Sequence, residues 1–210
     1  MLFCPPDMDE SLRQAARAGN VNDLYRLIQR DGNVLRRIDE VEFIDTPLHI
    51  AADAGCIDFA MEIMSLKPSF ARKLNQQGLS PIHLAVEKGH TELVLNVMEN
   101  AKDLVRVKGK KGETPLHYVI TRGENPQVLL LTSFLEDCHE YIRYMTTENQ
   151  TALHISVRNN KEEALKILCK MLRKTDYCQD VVNQKDRNGD TALHIAVRDN
   201  LHEVRLILST

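Results

Sequence analysis

Five histidines recur in one setting. They close Thr46-Pro47-Leu48-His49, Ser80-Pro81-Ile82-His83, Thr114-Pro115-Leu116-His117, Thr151-Ala152-Leu153-His154 and Thr191-Ala192-Leu193-His194, at spacings of 34, 34, 37 and 40 residues. Imidazoles bind metals and move protons, so a metal centre or a general base is the first chemistry to weigh. One histidine per structural repeat places successive rings roughly 10 Å apart, the packing distance of neighbouring helices. A zinc ion needs all its ligands within about 2.1 Å, so the five cannot share one. The periodicity instead predicts that each ring bonds to a loop backbone and ties one repeat to the next. Thr46, His49, His83, Thr114, His117, Thr151, His154, Thr191 and His194 are therefore structural. His90, His139 and His202 lie outside the register and read as ordinary helix or surface residues. Glycine-rich phosphate loops, nucleophile elbows and paired-histidine zinc motifs are missing from the sequence. Glu162-Glu163 belongs to a solvated helix face, and Cys138 and His139, as neighbours on a helix, point apart. No catalysis, metal or cofactor is expected.

The tetrapeptide marks a helix start. The Thr or Ser hydroxyl accepts from an unpaired first-turn N–H, and Pro suits the next position because its missing N–H costs nothing there. Gly55, Gly89 and Gly123 then stop three of these helices, and Asn160 and Asn200 stop the other two. A second apolar period follows, as in Phe59, Ala60, Ile63 and Met64 or Leu93, Val94, Val97 and Met98. Gly78, Gly112 or Gly189 then turns the chain into the next copy. Helix, turn, helix and projecting loop at this period is the ankyrin repeat. The fold class is thus an all-α solenoid of about six repeats, at 10–40, 41–78, 79–112, 113–150, 151–189 and an incomplete 190–210, behind a flexible leader at 1–9. The first lacks the tetrapeptide and serves as a cap. Extra residues are expected around Glu136–Tyr144 and Arg173–Asp180. The last copy breaks off within its second helix, where Val204, Ile207 and Leu208 fall, as in a piece of a longer protein.

With 43% hydrophobic and 27% charged residues, the 210-residue chain is ordinary for a folded protein. Net charge is −3, with −5 in residues 1–100 and +2 in residues 101–210, which gives no global attraction to nucleic acid. Cys4, Cys56, Cys138, Cys169 and Cys178 form no paired motif, and Cys56 and Cys169 are expected as buried thiols in a reducing compartment. The start of the chain lacks the basic and apolar regions of a secretory signal.

Three stretches go beyond the general repeat: Ile57–Met64, Lys67–Asn75 and Asp103–Gly109. They resemble the plant ankyrin-repeat proteins with a C-terminal PGG membrane domain, the accelerated-cell-death-type group. That resemblance implies a cytosolic domain tethered to the plasma membrane by later helices and a role in immune or stress signalling. Neither such helices nor a PGG motif occurs in these 210 residues.

Partners of ankyrin domains contact the loop tips and the ends of the first helices. Carried onto this chain, those positions include Gln76, Gln77, Glu87, Lys88, Lys108, Lys110, Lys111, Thr121, Arg122, Arg158, Asn159, Arg187 and Arg198. The cations among them would form a basic stripe, and arginine forks bind carboxylates and phosphates bidentately. The expected ligand is an acidic or phosphorylated peptide or protein tail, such as the cytosolic tail of a membrane receptor. The alternative is an untethered scaffold that binds a folded protein or nucleic acid, although no aromatics interleave with the basic residues as a nucleic-acid surface would need. Phe43 and Ile44 in the first loop would be partner contacts or would pack on the cap.

Overall fold

A computed structural model describes residues 8–122 and 128–201. Gly123, Cys4, His202, Val204, Ile207 and Leu208 lie outside the described residues, as does the leader up to residue 7. Among the described residues every regular element is helical. The chain divides into two compact units, Met1–Lys110 and Lys111–Thr210.

In the first unit, first helices α1 (Glu10–Ala18), α4 (Pro47–Ala54) and α6 (Pro81–Glu87) stack side by side. Second helices α2 (Val21–Arg30), α5 (Ile57–Leu66) and α7 (Thr91–Asn100) pack behind them, and a short α3 (Val34–Asp39) follows α2. The small-residue run explains the close stacking. Ala51 and Ala52 of α4 and Ala85 of α6 are buried, with no bulk to hold the helices apart. Phe59, Ile63, Leu93 and Val97 fill the space between the layers, as the three-and-four spacing requires. Gly55 ends α4 at φ 73°, a left-handed conformation that glycine adopts without penalty. The His90 ring lies against it, so that a Cβ there would stand 2.7 Å from Nδ1.

The second unit repeats the plan. First helices α8 (Pro115–Arg122), α10 (Ala152–Arg158) and α13 (Ala192–Arg198) stack in order, backed by α9 (Val128–Asp137) and α11 (Glu162–Leu172). A short α12 (Cys178–Val182) accommodates the added residues expected near Arg173–Asp180.

Several expectations are corrected. Met8 is buried, and Asp9 caps α1 by accepting the Ser11 N–H at 2.8 Å and pairs with Arg30 at 3.0 Å. The first repeat thus already includes both. The turn His139–Arg143 is the counterpart of Pro68–Arg72 and Lys102–Arg106, so no residues are inserted within it. The three extra residues fall earlier, because His117 stands 22 residues before that turn, against 19 for His49 and His83. Cys56 and Cys169 are half-buried rather than enclosed, and the Cys56 thiol donates to the Arg17 carbonyl at 3.4 Å. His90 is no ordinary surface residue, since its Nε2 bonds the Asp53 carbonyl at 2.9 Å and fastens the third repeat to the second.

Candidate functional site

His49, His117 and His154 hold the scaffold through both ring nitrogens. The Thr46 N–H donates to His49 Nδ1 at 3.1 Å, and His49 Nε2–H donates to the Leu79 carbonyl at 3.0 Å in the next loop. An N–H can only donate and a carbonyl can only accept, so the pair fixes a neutral ring with its proton on Nε2. His117 and His154 repeat the arrangement, reaching Tyr144 and Asp190 carbonyls at 3.1 Å each. Ser80 and Thr191 form the same capping boxes with His83 and His194. Burial pushes the His49 imidazole down to about 4 and also lowers His154. A proton on Nδ1 would face the donating N–H and break the lock.

The loops these histidines reach are built by three residues outside the tetrapeptide. Asn75 Oδ1 accepts the Gln77 and Leu79 N–H groups, both at 3.0 Å. Thr146 Oγ1 accepts from Glu148 and Gln150, both at 3.2 Å. Asp186 Oδ1 accepts from Asn188 at 2.8 Å and Asp190 at 3.1 Å. All three are buried. Each stands five residues before its Thr or Ser cap, a polar position that could have revealed them.

Neighbouring tips are clasped. In the first unit the Lys110 N–H donates to the Gly78 carbonyl at 2.7 Å, and Asn75 Nδ2 donates to Asp45 Oδ1 at 2.8 Å. In the second, the Thr147 N–H donates to the Lys111 carbonyl at 2.8 Å and the Arg187 N–H to the Glu148 carbonyl at 3.0 Å. The tips in each unit are thus held in place before any partner arrives, which limits the ordering cost of binding.

The cations chosen from the sequence divide into two sets. Lys88 pairs with Asp53 at 3.2 Å, Arg187 with Glu148 at 3.0 Å, and Arg198 with Asp190 and, at 3.4 Å, Asp199. Arg158 Nη2 lies 2.7 Å from the buried Asp186 carboxylate. Burial pushes that carboxyl up, but the Arg158 guanidinium and the Asp190 and Asn188 N–H groups outweigh it and hold the pKa below the ordinary value. Arg158 therefore stabilises a loop. Lys108, Lys110, Lys111 and Arg122 are exposed, and Arg122 lies over the Tyr118 ring at 5.8 Å. Burial raises the pKa of nearby Glu113 against the pull of Lys111 and Arg122. Gln76 and Gln77 are exposed on their tip and Glu87 is half-buried at the end of α6. Thr121 and Asn159 spend their side-chain donors on their own helices, to Tyr118 at 3.2 Å and Ile155 at 2.8 Å.

Each unit also carries an arginine on a turn after a second helix. Arg72 pairs with Asp103 of the next turn, and Arg143 sits over the Tyr177 ring at 5.2 Å. Both link successive repeats. Among the described residues no group of three or more His, Cys, Asp or Glu could hold a metal ion, and no helix is long and apolar enough to cross a membrane.

An all-α solenoid with buried histidine locks and clasped, exposed loop tips defines a class of repeat scaffold that presents an edge to other molecules. The family described as ankyrin repeats (3 copies) matches residues 12–107, 96–179 and 130–210, and the chain belongs to it. The Arabidopsis thaliana ankyrin repeat-containing protein BDA1 is 52% identical over 73 residues, which cover 35% of this chain and 17% of that protein. A chain of the solved complex of the Bd0816 predatory endopeptidase with immunity protein Bd3460, from Bdellovibrio bacteriovorus, superposes with a TM-score of 0.71. It matches over 96% of this chain and 97% of its own length, at 23% identity, a likeness of fold alone.

Proposed function

We propose that the protein is a non-enzymatic interaction module that binds an acidic or phosphorylated protein segment along its loop tips and first-helix ends. The observation that carries this is the division of the cations. Lys88, Arg158, Arg187 and Arg198 are already matched by carboxylates, whereas Lys108, Lys110, Lys111 and Arg122 stand exposed on pre-formed tips or beside them. Among the described residues, a ligand carboxylate or phosphate at Lys108 and Lys110 in the first unit, or at Lys111 and Arg122 in the second, displaces no strong internal ion pair.

The resemblance to plant proteins with a PGG membrane domain carries a finer reading, of which the plant relative, 52% identical over 73 residues, supports only the plant ankyrin-repeat part. In it, the chain is the cytosolic part of a membrane-tethered immune or stress protein, and its partner is a receptor tail. Fractionation of the natural protein tests this. Membrane pelleting that resists high salt is expected, and a wholly soluble pool would contradict it.

The binding reading is tested with fluorescein-labelled acidic dodecapeptides, with and without phosphoserine, read by anisotropy. Charge reversal at Lys111 and Arg122 together should weaken binding at least tenfold while helical content and Tm stay unchanged, since exposed sites have small effects on stability. Equal binding by the double variant and the parent would remove these residues from the site. Tighter binding of a random single-stranded DNA than of either peptide, with steep salt dependence, would favour a nucleic-acid surface instead.

A further inference from the structure

The loop-tip edge of the first unit carries a charge order. At the first tip Glu42 and Phe43 are exposed, with Phe43 at 51% of its full accessibility. The neighbouring acids there are engaged, Glu40 with Arg36 at 3.5 Å and Asp45 with Asn75 at 2.8 Å. Glu42 makes no ion pair among the described residues. The middle tip offers the neutral amides of Gln76 and Gln77, and the third offers Lys108 and Lys110, both exposed. The bonds Asn75–Asp45 and Lys110–Gly78 hold the three tips in sequence.

We propose that this edge, read as the binding edge above, receives an extended partner segment with an arginine at one end and an anionic side chain at the other, about six residues apart. The spacing follows from geometry. Two intervals of roughly 10 Å separate the outer tips, and an extended chain advances about 3.3 Å per residue. One arginine answers both features of the first tip: its guanidinium pairs with the Glu42 carboxylate and stacks on the Phe43 face. Gln76 and Gln77 can bond the backbone in between without selecting side chains. Lys108 and Lys110 take a carboxylate or a phosphate as point charges. A uniformly acidic peptide can still reach the lysines but forgoes the Glu42 and Phe43 contacts that an arginine makes at the far tip.

The test is a dodecapeptide display selection on the intact 210-residue chain. Selected peptides should carry Arg and Glu or Asp five to seven residues apart. Phe43→Ala, and separately Lys108→Glu with Lys110→Glu, should each weaken them at least tenfold with Tm unchanged. Closing the Arg–Glu spacing to two residues should do the same. Phosphoserine in place of the Glu distinguishes a phosphate from a carboxylate site by which peptide binds more tightly, and retention of either supports the assignment. Selected peptides without the opposed charges, no enrichment, or equal binding by both variants and the parent would overturn the proposal. Peptides that bind both variants as the parent but fail against Arg122→Glu would overturn it while leaving the broader binding reading intact.

Discussion

Replacing His117 with Ala is expected to lower Tm by about 10 °C while leaving the exposed cations where they are. The ring is fully buried, accepts the Thr114 N–H at 3.1 Å and donates to the Tyr144 carbonyl at 3.1 Å. Truncation orphans a backbone donor and a backbone acceptor, each costing about 1–3 kcal/mol when left unpaired in the interior. Lost packing around the ring adds to that, for a total of roughly 3–5 kcal/mol. For a chain of this size each kcal/mol shifts Tm by about 2–4 °C. Calorimetry of the two proteins decides it, with Arg122→Ala as a surface control that should move Tm little. A fall of under 2 °C for His117→Ala would mean that the histidine is not a lock.

The second large effect is loss of stability in mild acid. Burial holds the folded His49 imidazole at about 4, below the ordinary value of 6.5. As pH falls through 6.5 the unfolded chain takes up the proton and the folded chain does not, so stability is full above that pH. It declines toward about 4 and levels off below, where both states are protonated. The difference corresponds to about 3 kcal/mol from His49, at 1.36 kcal/mol per pH unit. His154 is shifted the same way by its own burial and adds to the decline. Urea melts at pH 7.5 and 4.5 measure it. His49→Gln should be less stable than the parent at pH 7.5 yet lose less on acidification, because glutamine does not titrate there. An identical loss in parent and variant would assign the acid lability to other groups.

The parts of this protein legible in the sequence are those that repeat locally. Thr46 to His49 is one turn of helix, so the cap, the proline and the histidine register could be read from a tetrapeptide. The left-handed stops at Gly55 and Gly89 could be read too, as could Asn160 at φ 50° and Asn200 at φ 55°, because each follows directly on its helix. What the sequence did not disclose lies across the repeats. The Arg158–Asp186 pair spans 28 residues and Arg187–Glu148 spans 39, and no local pattern says which exposed arginine has a carboxylate waiting in the next loop. A stripe of equivalent cations therefore resolves into matched pairs and a smaller accessible set. His90 escaped for the same reason, its partner being a carbonyl 37 residues earlier. Asn75, Thr146 and Asp186 did leave a local trace, but Val41 and Gly109 occupy that position in the other loops and obscure the pattern.

The histidines that stood out as candidate chemistry are the internal fastening of an edge whose exposed tips meet the partner. Hydrogen–deuterium exchange of the chain, alone and saturated with its best display-selected peptide, tests that claim most directly. Protection on binding is expected at 75–79 and 108–111, with α5, α7 and α11 unchanged. Protection confined to the second helices, with the loop tips exchanging as in the unbound chain, would contradict it.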